Sequence, residues 1–220
     1  MCRFLMFKSR EPVPAGSLLD MFASMAERSR APDGDRQADG WGVSWLDREL
    51  RWKARKSINP IWTETALFEE IPPGRLFLAH ARSASFPSHK NILAFNQPFV
   101  DGRYAFVFNG LLKGVTLPRL AGIIGAQKIW SLLRALLEEY EPVAAIRMLV
   151  SVLERHAREI PALNIGVSDG EKLYVYCRDS HCPGYYHLRV RESPGMTLVC
   201  SESLECPGFR PVQTDEVLAF

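Results

Sequence analysis

Met1-Cys2-Arg3-Phe4-Leu5-Met6-Phe7 is the stretch on which the reading of this chain turns. Its cysteine stands directly behind the initiator methionine. Removing Met1 would give Cys2 a free α-amino group and so place a nucleophile and a base in one residue. The thiol attacks a carbonyl, and the amine, with an unperturbed pKa of about 7.7–8.0, accepts its proton near neutral pH. A retained Met1 would lock that nitrogen in a peptide bond and disable the base. Read alone, Cys2 is equally the start of a buried strand, because Arg3 to Phe7 is a short apolar run. The rest of the chain decides between the two.

Composition narrows the function classes. The chain has 220 residues, of which 47% are hydrophobic and 24% charged, which matches an ordinary globular protein with a sizeable core. We expect one domain over residues 1–220. A net charge of +2 gives no reason to expect nucleic acid or an anionic membrane as partner. No run approaches the ~18 apolar residues of a membrane span, and the apolar start is too short for a secretory signal, so a cytoplasmic protein is expected. Five cysteines, an odd number, fit free thiols better than a disulfide framework. Cys177 with Cys182 and Cys200 with Cys206 are spaced more loosely than thiolate ligands usually are, so no metal site is expected.

Periodicity divides the chain into three regions. The first, to about residue 125, alternates strands and turns. Arg3 to Phe7 reads as a strand, and Ala15 to Arg28 as a helix, with Leu18, Leu19, Phe22, Met25 and Ala26 on one face. Gly42 to Leu46 and Leu50 to Ala54 form a hairpin, and Thr63 to Ile71 a short helix closed by Pro72-Pro73-Gly74. Leu76 to Ala81 and Tyr104 to Phe108 are strands covered on both faces. The middle region reads as two helices, one with a face of Ile129, Leu132, Leu133, Leu136 and Leu137. The other starts near Pro142 and carries Val143, Ile146, Leu149, Val150 and Leu153. Strands return at Leu163 to Val167, Leu173 to Cys177, Tyr185 to Val190, Thr197 to Cys200 and Val212 to Leu218. Strands, then helices, then strands, without a βαβ rhythm, predict an α+β fold with mainly antiparallel sheets.

Four further segments resist explanation by packing alone. Asp39-Gly40-Trp41-Gly42 opens a strand on a tight backbone path. His80-Ala81-Arg82-Ser83-Ala84-Ser85 ends an apolar strand with a guanidinium at a sheet edge. Asn96-Gln97-Pro98-Phe99 is a polar turn before a strand, and Phe106-Val107-Phe108-Asn109-Gly110 ends a buried strand in Asn-Gly. Singly, each has a bland reading as a turn or a surface charge. Together with Cys2, and in this order, they resemble the class II glutamine amidotransferases, the N-terminal cysteine branch of the Ntn hydrolases. The likeness is to stand-alone glutaminase-type members that begin Met-Cys-Arg. It is dense from Cys2 to Gly110 and returns at Cys200-Ser201-Glu202-Ser203-Leu204.

That resemblance implies the four-layer α/β/β/α Ntn sandwich and an amidohydrolase with no metal and no organic cofactor. It implies that Cys2 attacks the side-chain amide of glutamine, with its own α-amine as general base and then as acid toward departing ammonia. It assigns Arg82, with Ser85 where the family usually has threonine, to the substrate carboxylate. It assigns the Asn109 side chain and the Gly110 N–H to the oxyanion hole. Trp41 is expected to pack near the nucleophile, and the loop from Ser83 to Asn96 to close over the substrate. His80 and His89 read as core or surface histidines, since the α-amine already supplies the base.

The resemblance breaks at the amino-acid end. The aspartate that should meet the glutamine α-ammonium falls on Gly125-Ala126-Gln127-Lys128, with alanine in its place, and no Asp or Glu occurs between Asp101 and Glu138. Phe86 and Phe108 stand where the family commonly has histidines. Three readings are open: glutamine hydrolysis with a carboxylate from Glu202 or from the Ser29 to Asp39 loop, hydrolysis of another γ-glutamyl amide, or a non-catalytic regulatory subunit. The substrate is a small molecule in the first two. A length of 220 residues leaves no room for a synthetase domain, so any acceptor enzyme would be a separate chain. Whether the chain forms a homodimer is left open.

Overall fold

Strand β1 (Arg3–Val13) sends Phe4 and Met6 to one side and Leu5 and Phe7 to the other, and all four are buried. A strand buried on both faces must lie in a covered sheet. The computed structural model, which describes residues 1–117 and 120–220, shows what covers it. Leu5 and Phe7 share a core with Leu18, Leu19, Phe22 and Ala26 of helix α1 (Gly16–Arg28). Phe4 and Met6 meet Ala105, Val107, Leu173 and Val175 of a second sheet.

The first sheet continues from β1 through β2 (Trp41–Leu46), β3 (Trp52–Ser57) and β4 (Gly74–Ala81). The second is built on β5 (Phe99–Asp101), β6 (Tyr104–Lys113), β7 (Glu159–Ser168) and β8 (Leu173–Asp179). Strands β9 (Arg189–Ser193), β10 (Met196–Cys200) and β11 (Arg210–Pro211) return to the first sheet, and β12 (Val217–Ala219) edges the second. The orders are β11-β9-β10-β1-β4-β2-β3 and β12-β8-β7-β6-β5. The strand pairings are antiparallel. On the far face of the second sheet, Phe106, Phe108, Ile165 and Tyr176 pack on helices α2 (Gly125–Glu139) and α3 (Pro142–His156). The layers therefore run α1, sheet, sheet, α2–α3, which is the α/β/β/α sandwich. Among the described residues no helix is long and apolar enough to cross a membrane.

Four expectations need correction. The hairpin returns at Trp52, not Leu50, because Leu50 occupies the left-handed turn position at φ 56°. Thr63 to Ile71 is two short 3₁₀ turns, Ile61–Thr63 and Thr65–Glu70, and no α-helix. Tyr185 and Tyr186 are not in a strand: both N–H groups bond to the Cys182 carbonyl in a single helical turn. Val212 to Leu218 is broken, and only Val217–Ala219 pairs in that stretch.

Candidate active site

Cys2 precedes β1, and the register Arg3 to Ala81 places it beside the end of β4, where Arg82 and Ser83 follow. Its Sγ lies 3.6 Å from the Ser83 carbonyl. From the facing sheet, β6 brings Asn109 and Gly110 to the same place. A cavity of about 620 Å³ is lined by Cys2, Arg82, Ser85, Asn109 and Gly110 together. The residues predicted from sequence therefore come from both sheets to one space.

Asn109 is 1% exposed, yet neither its amide oxygen nor its nitrogen has a hydrogen-bond partner among the described residues. Buried polar groups are rarely left so. Asn109 lines the cavity, so its amide is available to a group that enters it. Gly110 cannot carry a side chain, since a Cβ there would stand 2.8 Å from the Ala162 carbonyl.

Arg82 is also buried, and its guanidinium has no carboxylate partner among the described residues. It donates to the carbonyls of His89 at 2.8 Å and Asp39 at 3.4 Å, which fix its direction without neutralising it. Burial lowers its pKa, opposed by Cys2 and Asp39. The Asp39 motif holds this corner: Asp39 N–H donates to the Arg82 carbonyl, Arg82 N–H to the Gly40 carbonyl, and Ala84 N–H to the Asp39 carboxylate. Gly40 sits at φ 112°, and a Cβ would lie 2.1 Å from the Asn96 amide nitrogen. Only glycine fits. The loop after Arg82 is ordered by short turns at Pro87–His89 and Leu93–Phe95, and Phe86, His89 and Phe95 line the cavity.

Two residues carry roles that local pattern did not show. Gln97 is 3% exposed, and its side chain accepts from the Phe108 N–H at 2.6 Å and donates to the Phe108 carbonyl at 3.2 Å. The β5–β6 register, Phe99 opposite Phe106, places Gln97 opposite Phe108. The side-chain amide thus completes the ladder where β5 has ended, one residue before Asn109. Arg3 is 1% exposed and donates to Ser29 Oγ at 2.9 Å, the Tyr185 carbonyl at 2.8 Å and Glu202 at 3.2 Å. Ser201 Oγ accepts the Phe4 N–H. The Met-Cys-Arg start and the Ser-Glu segment near the end are thus one network that anchors the residue after Cys2. Glu202 is occupied there and does not line the cavity, whereas Asp33 and Asp35 of the Ser29 to Asp39 loop do. Ala126 and Lys128 form the wall at the start of α2.

Trp41 is fully buried on the α1 side, with Nε1 on Glu64 at 2.8 Å, and is not part of the cavity wall. Burial, joined by the charges of Arg82 and Lys56, pushes the His80 pKa down to about 3, so its ring is neutral near pH 7. Outside the cavity, Cys177, Asp179 and His187 cluster closely. His187 Nε2 lies 2.8 Å from the Val212 carbonyl and Nδ1 2.7 Å from the Asp179 carboxylate, and burial raises the Cys177 thiol to about 12.

Residues 1–200 match the family model for class-II glutamine amidotransferases. A γ-glutamyl-hercynylcysteine sulfoxide hydrolase of Mycolicibacterium smegmatis is 30% identical over 187 residues, covering 79% of this chain and 77% of that protein. A glutamine aminotransferase class-II domain protein from Silicibacter pomeroyi superposes with a TM-score of 0.66 at 18% identity, covering 99% of this chain and 94% of that one. The glutamine phosphoribosylpyrophosphate amidotransferase of B. subtilis superposes with a TM-score of 0.69 at 15% identity, over 99% of this chain and 47% of that one. At these identities the two structures speak to the fold alone.

Proposed function

The chain belongs to the class II glutamine amidotransferases, an Ntn-type amidohydrolase family, and from that premise we propose that it cleaves the side-chain amide of a γ-glutamyl compound through a thioester on Cys2. Glutamine is the smallest such compound. The observation that carries the reading is the convergence of Cys2, the uncompensated Arg82 and the unpartnered Asn109 amide on one open cavity. An open cavity at Arg82 argues against a degenerate regulatory subunit.

With Met1 removed, the Cys2 α-amine takes the thiol proton and Sγ attacks the γ-carbonyl. The Asn109 side chain and Gly110 N–H receive the developing oxyanion, a donor of this kind being worth about 2.7–4 kcal/mol in the transition state. Arg82, with Ser85, holds the α-carboxylate through charge-assisted hydrogen bonds. The protonated amine then protonates the leaving nitrogen, and water resolves the thioester to the γ-carboxylate. A substituted amide is favoured over glutamine alone by the cavity size and by the M. smegmatis relative, whose name specifies a γ-glutamyl substrate.

The test compares release of glutamate from L-glutamine and from the neutral γ-glutamyl-propylamide by protein of confirmed mass lacking Met1. Cys2-dependent release from either, with the larger kcat/KM on the substituted amide, is expected. No release from both would remove the reading.

A further inference from the structure

Met1 is held as a ligand would be. Gln37 Nε2 donates to its carbonyl at 2.9 Å, and the Tyr185 hydroxyl lies 3.4 Å from the same oxygen. Its ammonium donates to Ser83 Oγ at 3.0 Å and stands 3.6 Å from the Asp35 carboxylate, which the Ser83 hydroxyl also meets. None of these contacts is needed by the chemistry above. All are made to Met1 and not to the Cys2 thiol, and removing Met1 takes that partner away.

Gln37 makes the arrangement more than a surface accident. It is fully buried, and its Oε1 has no partner among the described residues even with Met1 in place. Losing Met1 would leave the donor end of the same amide to be satisfied as well, except for the 3.4 Å contact to Tyr185. Burial pushes the Tyr185 pKa up to about 12, so its hydroxyl keeps its proton as a donor. A buried amide that loses its partner at maturation needs another one.

The reaction says what enters. The leaving nitrogen must come within hydrogen-bond reach of the Cys2 α-amine, because that amine delivers its proton. Any substituent on the leaving nitrogen therefore projects into the volume Met1 vacates. We propose that Asp35, Ser83, Gln37 and Tyr185 form a leaving-group subsite for a cationic amine, so that the preferred substrate is a γ-glutamyl amide whose leaving group carries an ammonium centre. This rests on the hydrolase reading above and adds the substrate class. The C–S bond to the γ-carbon forms first as the carbonyl becomes a tetrahedral oxyanion, and collapse of that oxyanion breaks the C–N bond. The proton removed from the thiol leaves on the departing amine, and water later restores the thiol.

Asp33 also lines the cavity, and no lysine or arginine side chain contacts Asp35 within ion-pair distance among the described residues, the charge of Lys90 reaching Asp35 from its pair with Asp39. The wall at α2, by contrast, offers Ala126 and Lys128. A cation is favoured at one end of the site and not at the other.

The experiment measures kcat/KM for the γ-glutamyl monoamide of 1,2-diaminoethane and for the near-isosteric neutral γ-glutamyl-propylamide, in mature wild type and in Asp35→Asn. Wild type should prefer the cationic amide by roughly tenfold, as expected of one charge-assisted contact. In Asp35→Asn the ratio should fall toward one, with the change in KM. Ser83→Ala should lower the same ratio by a smaller factor. A wild-type ratio near one, or a ratio that Asp35→Asn leaves intact, overturns the subsite while turnover of the neutral amide keeps the hydrolase reading. Absence of turnover for both amides and for L-glutamine overturns that reading and the subsite with it.

Discussion

Gln97→Ala tests how the oxyanion strand is held. The Gln97 amide exchanges two hydrogen bonds with Phe108, at 2.6 and 3.2 Å, inside a region where both residues are buried. Truncation removes both partners, and β5 has already ended, so no backbone takes their place. A buried backbone group left unpaired costs about 1–3 kcal/mol, so the two together lower the unfolding free energy by about 2–6 kcal/mol. Against a usual total of about 5–15 kcal/mol, a loss at the lower end of that range leaves the variant folded and measurably weakened. Asn109 is the next residue, and a shift of its amide by an ångström is enough to cost about a hundredfold in rate. Urea denaturation followed by tryptophan fluorescence reads the first effect, and kcat on a γ-glutamyl amide reads the second. Stability within about 0.5 kcal/mol of wild type would refute the clamp, since surface changes commonly fall in that range.

Asn109→Ala should lower kcat by about 10²–10³ while leaving KM close to wild type. Its urea midpoint should hold or rise, because the amide removed has no partner to lose; a large destabilisation would show that the amide serves the fold. His80 predicts an acid limb. Its pKa is about 3 folded against 6.5 as a free side chain, so the unfolded chain binds the proton first and stability falls as the pH drops from 6.5 toward 3. The loss reaches about 2 kcal/mol by pH 5. His80→Met should remove that part of the difference between denaturation midpoints at pH 7 and pH 5, and an unchanged slope would contradict the assignment. Ala126→Asp places a carboxylate in the first turn of α2, where the helix dipole favours it, on the cavity wall. KM for L-glutamine should fall by roughly tenfold; an unchanged KM would mean that the substrate ammonium does not reach this wall.

The readable parts of this chain were those written in local pattern. The alternation of Phe4, Leu5, Met6 and Phe7 marks a strand buried on both faces, and the apolar stripes of the middle region mark α2 and α3. Arg82 could be picked out because it directly follows an apolar strand, and Asn109 because a polar residue breaks an apolar run, although β6 continues past it to Lys113. The family resemblance supplied the layering, which periodicity alone could not. The remainder depended on partners far apart in the chain. Nothing near Arg3 announces that Glu202 will meet it, so Glu202 read as a free carboxylate when it is the anchor of the first strand. Gln97 looked like a turn residue because the register that sets it opposite Phe108 exists only in the folded sheet. Tyr185 and Tyr186 are aromatic residues of strand type, yet the hydrogen bonds to Cys182 bend them into a helical turn that delivers Tyr185 to Met1. Trp41 read as a neighbour of the nucleophile, but the pleat of β2 turns it to the α1 side.

The central claim is that a freed Cys2 forms an acyl-enzyme. The measurement that meets it most directly is intact-protein mass spectrometry after rapid mixing with γ-glutamyl-p-nitroanilide. Three forms are compared: protein lacking Met1, protein retaining Met1, and Cys2→Ala. A mass gain of one γ-glutamyl group, with release of p-nitroaniline, is expected in the first form alone. Release of p-nitroaniline by the Met1-retaining form or by Cys2→Ala would contradict that claim.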